Sequence, residues 1–366
     1  MSSRRNIFIT TLVLAIALLI IILYSLRTTS IWPCSSKRPD IDAIPMSYGK
    51  NHRPKMDHLT LTANIPRRHL PTAHNDRRLI IIGDIHGMNI ELGHLLDLAR
   101  YNSSNDHVVT LGDMINKGPD SRGVLSRLMA MNVSAVRGNH EDHLLLALEE
   151  YQSRGTTIDD GSNVFEMRHR NRKILKVAKT LHPRQIEWLS NLPVILKAKP
   201  LQLYFVHGGL VPGVELEKQD PWAVMNMRTL VYPREELRRN LETFPNSSLH
   251  MKPEEHSQDD NETDEEEEKE QQTEIDVRKV IAIPIEDHSG EKWTKAWDRH
   301  QRRLAKSKRR TVMYGHDAKR GFIEGRYTVG LDSGCVRGGS LTGLIVRAKG
   351  KRGFAYTKIQ VPCKPN

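Results

Sequence analysis

Five short fragments of the 366-residue chain carry side chains that bind divalent metals. In chain order they are Gly83-Asp84-Ile85-His86-Gly87, Gly112-Asp113, Arg137-Gly138-Asn139-His140-Glu141, His207-Gly208-Gly209 and Gly315-His316. Carboxylate, imidazole and carbonyl donors are the groups that hold divalent metals in phosphate-ester hydrolysis. The glycines permit tight turns and a close backbone approach. Any one fragment alone is an ordinary turn. Five in order, each placed directly after an apolar run, are hard to attribute to chance.

Those runs are the elements that must position the chemistry. Residues 79–82, 107–111, 133–136, 201–206 and 311–314 read as buried strands, the first of them a parallel one. Helical spacing lies between them, with Ile90, Leu92, Leu95, Leu96 and Ala99 on one face and Val124, Leu125 and Leu128 on another. Pro183 opens a helix over 183–191 as a first-turn proline. Strands alternating with helices predict an α/β core, and ligands of open α/β sheets bind beyond the carboxyl ends of strands. Residues 327–331, 341–347 and 354–361 are strands without helices between them and predict an antiparallel section.

The remaining sequence is unlike this core. Residues 6–26 contain no charge, and 21 helical residues span about 31 Å, close to a bilayer's hydrocarbon core of roughly 30 Å. Arg4 and Arg5 precede them, which predicts a cytosolic tail over 1–5 and a single-pass type II anchor with the bulk lumenal. Residues 27–78 read as a flexible basic stem and 79–366 as the domain. Residues 254–276 hold 13 Asp or Glu and one Lys, so an insert at about 250–278 reads as disordered. The chain nevertheless carries a net charge of +11, partly from residues 295–310, with eight Lys or Arg and one Asp. That excess favours polyanionic partners or covers a solvated helix face. No nucleic-acid motif accompanies it, so nucleic acid is not an expected partner. Asn102, Asn132, Asn246 and Asn261 begin glycosylation sequons, which suit a lumenal domain and also arise by chance. Three cysteines exclude a disulfide-rich scaffold or a Cys-ligated zinc module. Cys335 and Cys363 could pair in an oxidising lumen or stay as two thiols.

The five fragments together resemble the calcineurin-type binuclear metallophosphoesterases over residues 79–361. Gly112-Asp113-Met114-Ile115-Asn116-Lys117-Gly118-Pro119-Asp120-Ser121 and Leu331-Asp332-Ser333-Gly334-Cys335-Val336-Arg337-Gly338-Gly339 are closest to the phosphoprotein phosphatases and the symmetric diadenosine-tetraphosphate hydrolases. With the apolar segment, the chain is also similar to zinc-dependent vacuolar endopolyphosphatases. The resemblance implies two mixed β-sheets sandwiched between helices. It implies two divalent metals, zinc favoured over manganese, cobalt or iron. Asp84 and His86 would hold the first, Asp113 would bridge, and Asn139, His207 and His316 would complete the second. His140 would be the general acid, and Arg137, Arg228 and Lys117 would bind phosphate.

The expected activity is internal cleavage of inorganic polyphosphate by a metal-bridging hydroxide, at a vacuolar membrane with the catalytic domain lumenal. The alternatives are a dinucleoside-tetraphosphate hydrolase and a serine/threonine phosphoprotein phosphatase on the same site. One departure counts against the last. Many phosphoprotein phosphatases have an aspartate and an arginine where this chain has Asn116 and Lys117. An amide cannot support a protonated His140 as a carboxylate would, and Lys117 is a point charge instead of a planar fork.

Overall fold

A computed structural model describes residues 59–153, 164–232, 282–350 and 353–365. The expected tail at 1–5, anchor at 6–26, acidic insert and sequons Asn246 and Asn261 lie outside the described residues. Among the described residues, no helix is long and apolar enough to cross a membrane. Asn102 and Asn132 are both exposed.

The chain begins with β1 (Thr62–Asn64), β2 (Arg78–Ile82), α1 (Asn89–Leu98), β3 (Asp106–Thr110), α2 (Ser121–Ala130), β4 (Ser134–Ala135) and α3 (Asn139–Ser153). Helices α4 (Val164–Thr180) and α5 (Pro183–Ser190) lead to β5 (Ile195–Ala198), β6 (Leu203–Phe205), α6 (Pro221–Asn226) and β7 (Thr229–Val231). The last part holds β8 (Ile283–Ile285), β9 (Glu291–Lys292), α7 (Trp293–Arg303), β10 (Thr311–Tyr314), β11 (Ile323–Glu324), β12 (Thr328–Gly330), β13 (Ser340–Ala348) and β14 (Phe354–Pro362).

Two mixed sheets carry the architecture. One has the order β1-β5-β6-β10-β12-β11 and the other β14-β13-β2-β3-β4. The β2 sequence shows why they stack. Leu79 and Ile81 join Val109, Leu203, Phe205 and Met313 in a core between the sheets. Ile80 and Ile82 point the other way, into a core shared with Leu92, Leu95 and Leu125 of α1 and α2. A strand buried on both faces has no polar alternation, hence the unbroken apolar run. The outer face of the six-stranded sheet is covered by α6 and α7, through Val224, Met225, Trp293 and Trp297.

Three expectations are corrected, and one sheet was not anticipated. The ordered fold begins before residue 79: β1 pairs in parallel with β5, and Ile65 and Leu70 are buried, so residues 59–78 are not stem. Three-residue β1 is too short to show a period. The run at 201–206 starts as a 3-10 turn, Lys199–Leu201, in which the ring of Pro200 fits the first turn. Strand β12 pairs in parallel with β10 and does not join the antiparallel tail, which is β13 with β14 and β2. A third sheet, β8-β7-β9, had no sequence signal because its strands are two or three residues long.

Cys335 and Cys363 form a disulfide across 28 residues, tying the end of β14 to the turn after β12. Closing a loop of that length restricts the unfolded chain by about 3–4 kcal/mol. Urea unfolding of the Cys363→Ala variant should show a loss of that order, and the wild type should show it only with reductant. An unaltered midpoint in both would mean the bond adds no constraint.

Candidate active site

The five fragments follow the carboxyl ends of β2, β3, β4, β6 and β10, and their side chains converge at that edge of the two sheets. A cavity of about 320 Å³ opens there. Asp84, His86, Asp113, Asn139, His140, His316, Lys117, Arg228 and Asp332 are among its walls. His207 lies just behind, fully buried, with Nε2 3.3 Å from Asp113 Oδ1.

The backbone is strained to bring these groups together. His86, Asp113, Asn116, Lys117 and His316 all have positive φ, a conformation that non-glycine residues avoid. Gly112 shares it at φ 87°. A Cβ on Gly315 would lie 2.1 Å from Asp84 Oδ1, so only glycine lets this loop close on the carboxylate.

Glu141 holds two of the loops in register. It is fully buried and accepts the N–H of Asp113 and Gly138 on Oε2, and of Met114 and Ile115 on Oε1. Burial, with the Asp113 charge, pushes its pKa up to about 7, while the amide donors favour the charged form.

Each histidine that reaches a metal position spends one ring nitrogen on a backbone carbonyl. His207 Nδ1 lies 2.8 Å from Leu111 O, His316 Nε2 2.9 Å from Asn226 O and His86 Nδ1 3.2 Å from Ile115 O. A neutral imidazole donating there turns its other nitrogen, with a lone pair, into the site. Asp113 faces both sets, with Oδ2 3.4 Å from His86 Nε2 and Oδ1 3.3 Å from His207 Nε2.

The residues fit a pair of divalent cations. Donor atoms of His86, Asp113 and His140 lie within 4.8 Å of one another, and so do those of Asp113, His207 and His316. Asn139 Oδ1 lies 2.9 Å from His207 Nε2 and 3.2 Å from His316 Nδ1. The same oxygen faces both Asp113 oxygens, at 3.2 and 3.3 Å. Turning the amide over would give these acceptors a proton; as placed, the oxygens and lone pairs converge as cation ligands do. Asp84, Asp113 and Asp332 are 4%, 2% and 6% exposed. Burial pushes the Asp84 carboxyl well up, with Asp332 beside it adding to the effect. Clustered buried carboxylates are costly unless cations compensate them. Burial opposes a charge on His207, yet Asp113 and Asp84 pull its pKa up to about 10, and a cation taking Nε2 must release that proton.

The model of the calcineurin-like phosphoesterases matches residues 77–320. The chain belongs to that family. The family implies a binuclear divalent metal site with His and Asp ligands, as this site offers. A symmetrical bis(5'-nucleosyl)-tetraphosphatase of Coxiella burnetii is 26% identical over 291 residues, covering 79% of this chain and 92% of its own. Another, from Wigglesworthia glossinidia brevipalpis, is 33% identical over 134 residues; the match spans 36% of this chain and only 44% of the relative. A crystal structure assigned as a diadenosine tetraphosphatase superposes with a TM-score of 0.56 at 23% identity, covering 84% of this chain and all of that one, and so shares the fold.

Two metals held by Asp84, His86, Asp113, Asn139, His207 and His316 would supply a nucleophilic hydroxide near neutral pH and neutralise charge on phosphate oxygens. The protein's own contribution centres on His140. Asn116 Oδ1 accepts the Lys117 N–H at 2.8 Å, which fixes its amide and turns Nδ2 toward His140 Nδ1 at 2.9 Å. Nδ1 therefore accepts, and the proton of His140 sits on Nε2, facing the cavity. In this tautomer His140 Nε2 is a donor toward the cavity, and taking a cation there, as the His86–Asp113–His140 set would allow, would require it to lose that proton. Burial pushes its pKa down to about 4, despite Asp113.

The cationic expectations divide. Lys117 and Arg228 line the cavity. Arg228 is braced by Glu286 O at 2.7 Å and His316 O at 3.2 Å. Arg137 is a correction. Its guanidinium turns away from the cavity to Asp142 at 3.2 Å and Ser190 O at 2.7 Å, so it supports the loop and does not reach substrate. Two residues were missed by the sequence reading. Asp332 follows an apolar run as the ligands do, a signal that could have found it. Glu141 closes one of the five fragments, but nothing local marks its role, since its partners lie 26–28 residues away, apart from Gly138.

Glu141→Gln keeps the shape but sets an NH₂ against amide donors. Chemical denaturation should show a loss of about 2–4 kcal/mol, and equilibrium dialysis should show weaker binding of divalent metal. Stability equal to the wild type would mean that these N–H groups need no carboxylate.

Proposed function

We propose that this protein hydrolyses phosphoanhydride bonds within linear polyphosphate chains, using two divalent cations, zinc favoured. The carrying observation is the Asn116–His140 hydrogen bond. It leaves His140 a neutral donor, able to hydrogen-bond a leaving oxygen but poorly suited to deliver a full proton. A phosphate leaves as a stabilised anion and needs little protonation. A serine or threonine alkoxide needs a proton, which argues against a phosphoprotein phosphatase.

Two substrates share this bond. The names of the relatives support a dinucleoside tetraphosphate more directly. The cavity supports inorganic polyphosphate, cut internally. Lys117, Arg228, Lys319 and Arg337 line it, a cationic wall suited to a run of phosphates, and no Phe, Tyr or Trp among the described residues lines it. An anchor at 6–26 and a vacuolar, lumenal placement of the domain belong to the same proposal, and rest on the charge flanks and the resemblance.

The deciding assay sets the full chain on long-chain polyphosphate and on diadenosine tetraphosphate, with chelator and with zinc restored. Shortened chains that vanish with chelator and with Asp113→Asn support the polyphosphate reading. Intact polyphosphate beside cleaved diadenosine tetraphosphate supports the capped one. Cleavage of neither sinks the proposal. In addition, Asn116→Asp should raise turnover of a phosphoserine peptide relative to polyphosphate by about tenfold or more, a fraction of the roughly 10²–10⁴-fold that general acids contribute. An unmoved ratio would remove Asn116 as the selector.

A further inference from the structure

We propose that Lys319 and Arg337 form a second phosphate subsite on the rim of the cavity, which grips an oligophosphate chain beyond the bond being cut. The inference rests on the phosphoanhydride reading and adds the residues that would distinguish a chain from a single phosphate.

Exposed cations are normally solvated surface groups and need no explanation. These two differ in place and in partners. Both line the cavity that holds the candidate metal ligands. Lys117 stands deeper, 2.9 Å from His86 Nε2 among the candidate metal ligands, and Arg228 is engaged by Glu286 O and His316 O. Lys319 and Arg337 are exposed, and the side chain of neither makes a hydrogen bond or ion pair with any described residue. The rim acids are Glu286 and Asp317, and Asp317 is paired with Arg320 at 3.1 Å. Two cations therefore remain for a ligand of opposite charge.

Their loops are neighbours and are held still. Lys319 follows β10 and Arg337 follows β12, adjacent parallel strands. A Cβ built on Gly334 would come within 3.8 Å of Ala318, so the two turns lie close together. The Arg337 turn is braced by Asp332 Oδ1 accepting the Gly334 N–H at 3.0 Å and by Cys363 N–H donating to Gly339 O at 2.9 Å. The Cys335–Cys363 disulfide locks the same turn. Such bracing lowers the ordering cost of binding. A guanidinium fork and an ammonium lining one cavity suit the non-bridging oxygens of an oligophosphate. The chemistry is shared by inorganic polyphosphate and by the tetraphosphate of a dinucleoside.

The test compares wild type with the Lys319→Ala/Arg337→Ala double variant, as full chains loaded with zinc. Substrates are long inorganic polyphosphate, diadenosine tetraphosphate and bis(p-nitrophenyl) phosphate, which carries one phosphorus. The kcat/KM ratio of chain to small ester should fall about tenfold, two exposed charge contacts at about threefold each. The salt dependence of KM for the chain should become shallower by about one to two in log–log slope. Arg337→Lys alone should retain most of the ratio. Loss on only one chain supports the subsite and names its user. An unchanged ratio and salt slope overturn it. Inhibition of ester hydrolysis by polyphosphate separates the two readings, because it needs no anhydride cleavage. An inhibition constant that rises about tenfold in the double variant supports the subsite even if the anhydride reading fails. An inhibition constant that does not move, beside intact anhydride cleavage, overturns the subsite alone.

Discussion

The site depends on one buried carboxylate that touches no substrate. Glu141 gathers four backbone N–H groups, three from the turn after β3 and one from the turn after β4. That grip sets Asp113, whose two oxygens face histidines from different sheets: His86 follows β2 and His207 follows β6. An aligned carboxylate common to both sets is what a two-metal centre requires. Asp113 Oδ1 also accepts the His140 N–H at 3.0 Å, so the same geometry seats the first turn of α3 and the leaving-group side. Shift one turn and both sets of ligands lose their common member.

The cost of that arrangement is carried by the cores on either side. Five site residues occupy left-handed backbone, and carboxylates are packed together away from water. Each strained residue costs of order 1–3 kcal/mol. The strands leading into these turns are buried on both faces, with Ile80, Ile81, Ile82, Phe205 and Met313 at zero exposure. Their large apolar burial can tolerate such local penalties, which shorter or half-exposed strands could not. The same logic explains why the strained turns stand at strand ends. There the preceding backbone is fixed by two neighbours and the following residues are free to leave the sheet.

The parallel core was legible because full burial erases alternation, so runs such as 79–82 declare themselves. The metal fragments were legible because each follows such a run, and Asp332 obeys the same rule. What was hidden acts across distance or in short pieces. Strand β1 and the three-stranded sheet owe their existence to pairing partners more than 50 residues away, which no local pattern reports. Arg137 shows the reverse error. Its place in the motif suggested phosphate, but Asp142 and Ser190 O hold its two terminal nitrogens inside the fold. A residue type and a motif position do not fix which way a long side chain turns.

Asn116 shows how a single departure from a family pattern can carry chemical meaning. A carboxylate at that position would accept a proton from His140 Nδ1 and stabilise the imidazolium. The amide does the opposite: its oxygen is held by the Lys117 N–H, and its NH₂ must donate to Nδ1. The imidazole is thereby kept neutral, with one proton pointed at the cavity and none to spare. Asn116 itself belongs to neither candidate metal set, so the exchange leaves Asp113, His86, His207 and His316 in place. What changes is the range of leaving groups the site can expel. On the proposed reading, stabilised anions would pass and alkoxides would stall, and the residue that looks like a loss of catalytic function would act as a filter on the bond to be broken.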